Sequence, residues 1–67
     1  MEYDYENITE SPDLDAITLA ISVSAMTDKN LDYLRWDESI ATLHVAWQDE
    51  LSAGDKAILD QIVADNT

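Results

Sequence analysis

A chain of 67 residues with fifteen acidic and three basic side chains carries a formal charge of −12 at pH 7. Its length permits one small domain, and its hydrophobic content of 46% is typical of a folded protein. Three cations cannot neutralise many phosphates, which disfavours direct nucleic-acid binding, and the lack of cysteine excludes disulfides and thiolate metal sites.

The small size and the large charge together indicate that the chain needs outside stabilisation. One core of this size supplies only about 3–5 kcal/mol, and a large net charge opposes compaction. Oligomerisation or docking on a larger body would support the small core, and concentrated salt, bound cations or a basic partner surface would offset the repulsion. Three interpretations of the acidity stay open: a surface adapted to molar salt, an imitation of the phosphate backbone, and an ordinary acidic surface.

Residues 1–15 are predicted to form an extended acidic arm. Met1, Tyr3 and Tyr5 alternate with acidic residues, which places aromatic rings on one face and carboxylates on the other. Such an arm can add a strand to a neighbouring sheet, and a frayed chain end is the alternative. The segment has no basic start and no apolar run, so no secretory signal is expected, and no stretch has the roughly 20 apolar residues of a membrane span.

Residues 16–25 begin the predicted domain, which extends over residues 16–67. Apolar residues occupy alternate positions there: Ile17, Leu19, Ile21 and Val23. This period of two favours a strand with one buried face. As a helix, the span would place Leu14, Ile17 and Ile21 on one stripe. Leu19 and Val23 would then lie outside that stripe, and the helix remains the alternative.

A polar connection at residues 26–30 leads to a predicted β-hairpin with its turn at residues 37–39. The inward-facing positions of its two strands are Leu34 and Trp36, then Leu43, Val45 and Trp47. Both tryptophans therefore belong to the inward set, either as core residues or as an aromatic anchor at an interface.

The end of the chain predicts an amphipathic helix. Ser52 followed by Asp55 is typical of a helix N-terminus with a capping box. One apolar stripe follows: Ile58, Leu59, Ile62 and Val63. Because three antiparallel strands need a cover for one face, we expect an α+β fold in which a small three-stranded antiparallel sheet carries this helix on one face.

The run LSAGDKAILDQIV at residues 51–63, with the strand region before it, resembles segments of accessory virion proteins of tailed viruses, such as tail, fibre and capsid-decorating components. The resemblance implies a non-enzymatic structural protein present in many copies. Its partners would be capsid or tail proteins, or further copies of itself, and it would be made in the host cytoplasm and located in the virion. The resemblance transfers no functional residue to this chain.

A second hypothesis rests on the charge: an acidic nucleic-acid mimic that blocks a basic site on a host enzyme. Mimicry requires carboxylates about 6–7 Å apart on one surface, whereas the acidic residues here are spread along the whole chain.

The sequence predicts no catalytic, cofactor-binding or metal-binding residues. Residues 28–32 imitate the start of a calcium loop, but Tyr33 replaces the required glycine and Ser39 the bidentate glutamate. Weak, loose association of cations is expected at four aspartates: Asp13, Asp15, Asp28 and Asp32.

His44, the sole histidine, is predicted to face solvent from a strand. The single glycine, Gly54, cannot build a phosphate-binding loop. Contacts with protein partners are assigned instead to five residues: Tyr3, Tyr5, Ile8, Trp36 and Trp47. Neither nucleic acid nor a membrane is an expected partner.

Overall fold

A computed structural model describes residues 1–26 and 30–67 of the chain. It shows the predicted α+β fold, with a three-stranded antiparallel sheet of order β1-β3-β2 and a C-terminal helix. The elements in chain order are β1 Glu2–Tyr5, α1 Leu14–Ser22, β2 Leu31–Asp37, β3 Thr42–Trp47 and α2 Ala53–Asp65. Residues 27–29 of the predicted connection at 26–30 lie outside the described residues, and so do residues 28 and 29 of the calcium-like stretch at 28–32.

The predicted hairpin is confirmed as the pair β2 and β3. Leu34 lies opposite Val45 and Trp36 opposite Leu43, which places these apolar side chains on one face. The turn is a short 3-10 helix, Glu38–Ile40, which the Asp37 carboxylate caps by accepting a bond from the Ser39 backbone N–H.

A bulge in β2 adds one more inward residue than the alternation predicts. Leu31 pairs with Trp47 and Tyr33 with Ala46, so Asp32 is the extra residue of the bulged strand. The bulge resets the alternation, and Leu31 as well as Leu34 packs against the core.

The third strand comes from the N-terminal segment. β1 pairs antiparallel with β3, and Met1 and Trp47 exchange backbone hydrogen bonds of 2.6 and 2.7 Å. The predicted alternation is present, with Tyr3 and Tyr5 on the inner face and acidic residues on the outer face. The predicted acidic arm of residues 1–15 is not clearly seen as a separate element, because its first residues complete the chain's own sheet.

The predicted strand over residues 16–25 is wrong, since α1 is a helix. The Asp13 carboxylate caps it by accepting a 3.1 Å bond from the Ala16 backbone N–H. Ile17 and Ile21 are buried, with 0% and 4% exposure, whereas Leu19 is 65% exposed. The alternating apolar residues thus lie on two different sides of a helix. The third strand of the sheet is β1, and not this segment as predicted.

The C-terminal helix is confirmed. Ser52 caps it by accepting a 3.2 Å bond from the Asp55 backbone N–H, while Leu59 and Val63 are buried. Both helices cover the same face of the sheet around one core, which contains ten buried residues: Ile8, Ile17, Ile21, Met26, Leu43, Val45, Trp47, Leu51, Leu59 and Val63. In the described part of the chain, neither helix has the length and apolar character needed to cross a membrane.

Candidate functional site

The face of the sheet opposite the helices carries polar and charged side chains, with His44 at its centre. His44 lies on the middle strand, with Asp4 as its neighbour on one side and Arg35 on the other. Its side chain is only 8% exposed. The prediction that it points away from the core is right, but the prediction that it faces solvent is wrong, because it lies on the central strand against side chains of its neighbours.

Two carboxylates converge on one nitrogen of this histidine. His44 Nδ1 is 2.7 Å from Asp4 Oδ1 and 3.2 Å from Glu2 Oε1. The three groups present ligand atoms that all lie within 4.8 Å of one another. The hydrogen bond to His44, aided by one to Glu2, holds the pKa of Asp4 below its usual range. The arrangement can share a proton or surround a cation.

Tyr33 extends this cluster across the outer face. From β2, its hydroxyl donates a 2.6 Å hydrogen bond to Glu2 Oε2 on β1, on the opposite side of the middle strand. This bond raises the pKa of Tyr33, since ionisation would place a second negative charge beside Glu2. It also holds the Glu2 side chain over β3, in the orientation that presents the other carboxylate oxygen to His44.

Two of the predicted interaction residues, Tyr3 and Tyr5, are half-buried on the helix side of the sheet. The Tyr3 hydroxyl accepts a 2.8 Å bond from the Leu51 backbone N–H, and the Tyr5 hydroxyl donates a 2.7 Å bond to Asp60. Lys56 Nζ lies 5.4 and 5.2 Å from the two ring centroids, within range of a cation–π contact. Burial, with the bond to Asp60 second, raises the pKa of Tyr5.

The other three predicted interaction residues also contribute to the chain's own packing. Trp47 is 1% exposed and Ile8 8%, while Trp36 is half-buried against the core. They therefore offer little free surface in the single chain, and a role in partner contacts stays a prediction for all five. Tyr5 and Ile8 also line an open depression of about 390 Å³ beside the end of α2.

A different apolar surface lies at the C-terminal end of α1, where Val23 is the C-cap residue. Leu19 and Val23, one helical turn apart, are 65% and 76% exposed and are the most exposed large apolar side chains among the described residues. Sequence reasoning did not assign them to a site. The signal was available in the helical interpretation of the segment, which leaves both residues outside the buried stripe.

No family model, curated protein or solved structure matches this chain.

Proposed function

We propose that the chain is a non-enzymatic assembly protein that docks on a larger protein body, as a multi-copy accessory component of the virion of a tailed virus. The observation that carries the proposal is the exposed apolar pair Leu19 and Val23 on a body of charge −12. The two side chains lie one helical turn apart and form a small apolar patch, and apolar patches rimmed by polar residues mark protein contact sites when they are large enough. The virion setting rests on the resemblance of residues 51–63.

The docking surface is defined here as the outer side of α1, with Leu19 and Val23 at its centre. Asp15 lies one turn before Leu19 on the same side of the helix, and it too is exposed. The charge of this surface complements a basic one. The expected partner is therefore a basic protein surface with an apolar depression that receives the two side chains.

One of the two edges of the sheet, the one formed by β2, lies beside this surface. α1 packs against β2, and β2 is an edge strand of seven residues. An edge strand presents unpaired backbone groups along its outer side, which can pair with a strand of a partner. Both features thus favour attachment on the α1–β2 side of the molecule.

The alternative, a nucleic-acid mimic, is supported by the net charge alone. On the outer face of the sheet, Glu2 and Asp4 point toward His44, and Glu2 also accepts a bond from Tyr33. These carboxylates are drawn together around one imidazole, which does not favour the regular spacing of free anions that mimicry needs.

The test is the copy number of the chain in purified particles of the virus that encodes it, measured by quantitative mass spectrometry. The proposal predicts a fixed ratio to a major shell or tail protein, and this ratio should survive washing with high salt because apolar contacts resist screening. Absence from particles, with salt-sensitive co-purification on a soluble nuclease or polymerase, would refute the proposal and favour the mimic.

A further inference from the structure

We propose that Glu2, Asp4 and His44 form a binding site for a divalent first-row transition-metal ion such as Zn²⁺. The three side chains supply one imidazole nitrogen and two carboxylate oxygens, and they meet on the outer face of the sheet. The inference does not depend on the proposed assembly function.

The spacing of the ligand atoms fits one shared ion. An ion about 2.1 Å from each ligand separates the ligand atoms by about 3 Å in adjacent octahedral positions and by about 3.4 Å in the tetrahedral geometry that zinc prefers. The distances from His44 Nδ1, 2.7 Å to Asp4 and 3.2 Å to Glu2, bracket the octahedral separation, and movement of the exposed carboxylates by less than about 1 Å gives the tetrahedral one. A single N–H can align closely with only one of the two carboxylates at a time, whereas one ion can bind all three groups.

The burial of the imidazole distinguishes this cluster from a group of surface acids. The His44 side chain is more than nine-tenths buried and its Nδ1 is aimed at the two carboxylates. Among the described residues, its other nitrogen, Nε2, has no hydrogen-bond partner. The fold therefore holds the imidazole so that, among the described residues, its polar contacts are with the carboxylates of Glu2 and Asp4.

The donor set decides the class of metal. Imidazole suits zinc, copper, iron and nickel, whereas calcium, magnesium and manganese prefer oxygen ligands. Tyr33 acts as a positioning residue, since its bond to Glu2 orients a ligand. Because Nε2 lacks the second hydrogen bond that strengthens most metal-binding histidines, we expect an affinity in the micromolar range.

A bound ion would join the edge strand β1 to the central strand β3. Glu2 and Asp4 lie on β1 and His44 lies on β3, about 40 residues later in the chain. Binding to the folded state alone raises the melting temperature by mass action. A bound metal ion would therefore stabilise the pairing of the edge strand β1 with β3.

The test is calorimetric titration of the untagged chain with Zn²⁺, in physiological salt with excess Mg²⁺ to saturate diffuse binding to the acidic surface. We expect one saturable site, and Glu2→Gln and Asp4→Asn should each weaken it by about tenfold or more. The matched controls Glu50→Gln and Asp49→Asn remove the same charge from exposed positions and should leave the affinity within about twofold. Circular dichroism establishes that each variant is folded.

A second readout uses the fact that the chain has one histidine. Zinc should shift the nitrogen resonance of His44 Nδ1 in long-range ¹⁵N spectra, in proportion to the calorimetric saturation. Absence of a saturable site, equal weakening by the control variants, or a zinc-induced shift at Nε2 instead of Nδ1 would each overturn the proposal.

Discussion

Replacing Ile17 or Leu19 with alanine distinguishes a helix from a strand over residues 16–25, because a helix buries one of these side chains and exposes the other. Ile17 is 0% exposed and Leu19 65%. Truncation of a fully buried isoleucine costs about 2–5 kcal/mol, whereas an exposed substitution changes stability by about 0.5 kcal/mol or less. Since one core of this size supplies about 3–5 kcal/mol, Ile17→Ala should remove most of the stability and Leu19→Ala almost none.

The assay is urea unfolding followed by tryptophan fluorescence and far-ultraviolet circular dichroism. If Ile17→Ala is already unfolded in water, Ile17→Val gives a measurable loss of about 1 kcal/mol. A strand with one buried face would place Ile17 and Leu19 in equivalent positions. Equal destabilisation by the two alanine substitutions would therefore refute the helix and its packing.

Two further predictions concern the turn and the alkaline limit of stability. Ala41 has φ 50° and ψ 44°, a left-handed conformation that costs a residue with a side chain about 1–2 kcal/mol, so Ala41→Gly should stabilise the chain by about 0.5–1 kcal/mol after the added unfolded-state entropy of glycine. Thermal melts measure the effect. The control is Ala57→Gly, which should destabilise the chain because it places glycine at an exposed position within α2. A melting temperature that does not rise in Ala41→Gly would contradict the prediction. Because burial and Asp60 raise the pKa of Tyr5, the unfolded chain loses this proton at about pH 10 while the folded chain keeps it, and stability should fall as the pH rises above 10. Tyr5→Phe should show a smaller fall in melts across that range, and an equal fall would exclude Tyr5 as a cause.

The hairpin and α2 could be predicted because their signals are local. Apolar residues alternate along β2 and β3, and a polar turn joins the two strands. In α2, the capping residue Ser52 comes before an unbroken stripe of apolar residues. In each of these elements, the residue preferences, the spacing of the apolar residues and the residues at the ends all predict the same secondary structure. The bulge at Asp32 was missed, since the alternation alone does not reveal where an extra residue resets it.

The segment at residues 16–25 could not be decided because its apolar residues fit both periods. Leu14, Ile17 and Ile21 form a helical stripe, while the alternate positions also read as a strand. The choice depends on tertiary structure, since β1 supplies the strand that the sheet needs and leaves this segment to cover its face.

The candidate site on the outer face was also outside the reach of sequence analysis. His44 is 40 positions from Asp4, and the two meet only through the register in which β1 pairs with β3. No spacing motif records a register between strands that are far apart in the chain. The same pairing places Glu2 and Asp4 beside His44. The composition alone does not distinguish these two residues from the other acidic residues.

The exposed pair Leu19 and Val23 is the centre of the surface through which we propose that the chain docks. The measurement is the copy number in purified particles of the double variant Leu19→Gln, Val23→Thr, with Ile40→Thr as control. Ile40 is 58% exposed and lies in the turn between β2 and β3. We predict that the folded double variant is lost from particles while the control keeps the wild-type ratio. Retention of the folded double variant at the wild-type ratio would contradict docking through Leu19 and Val23.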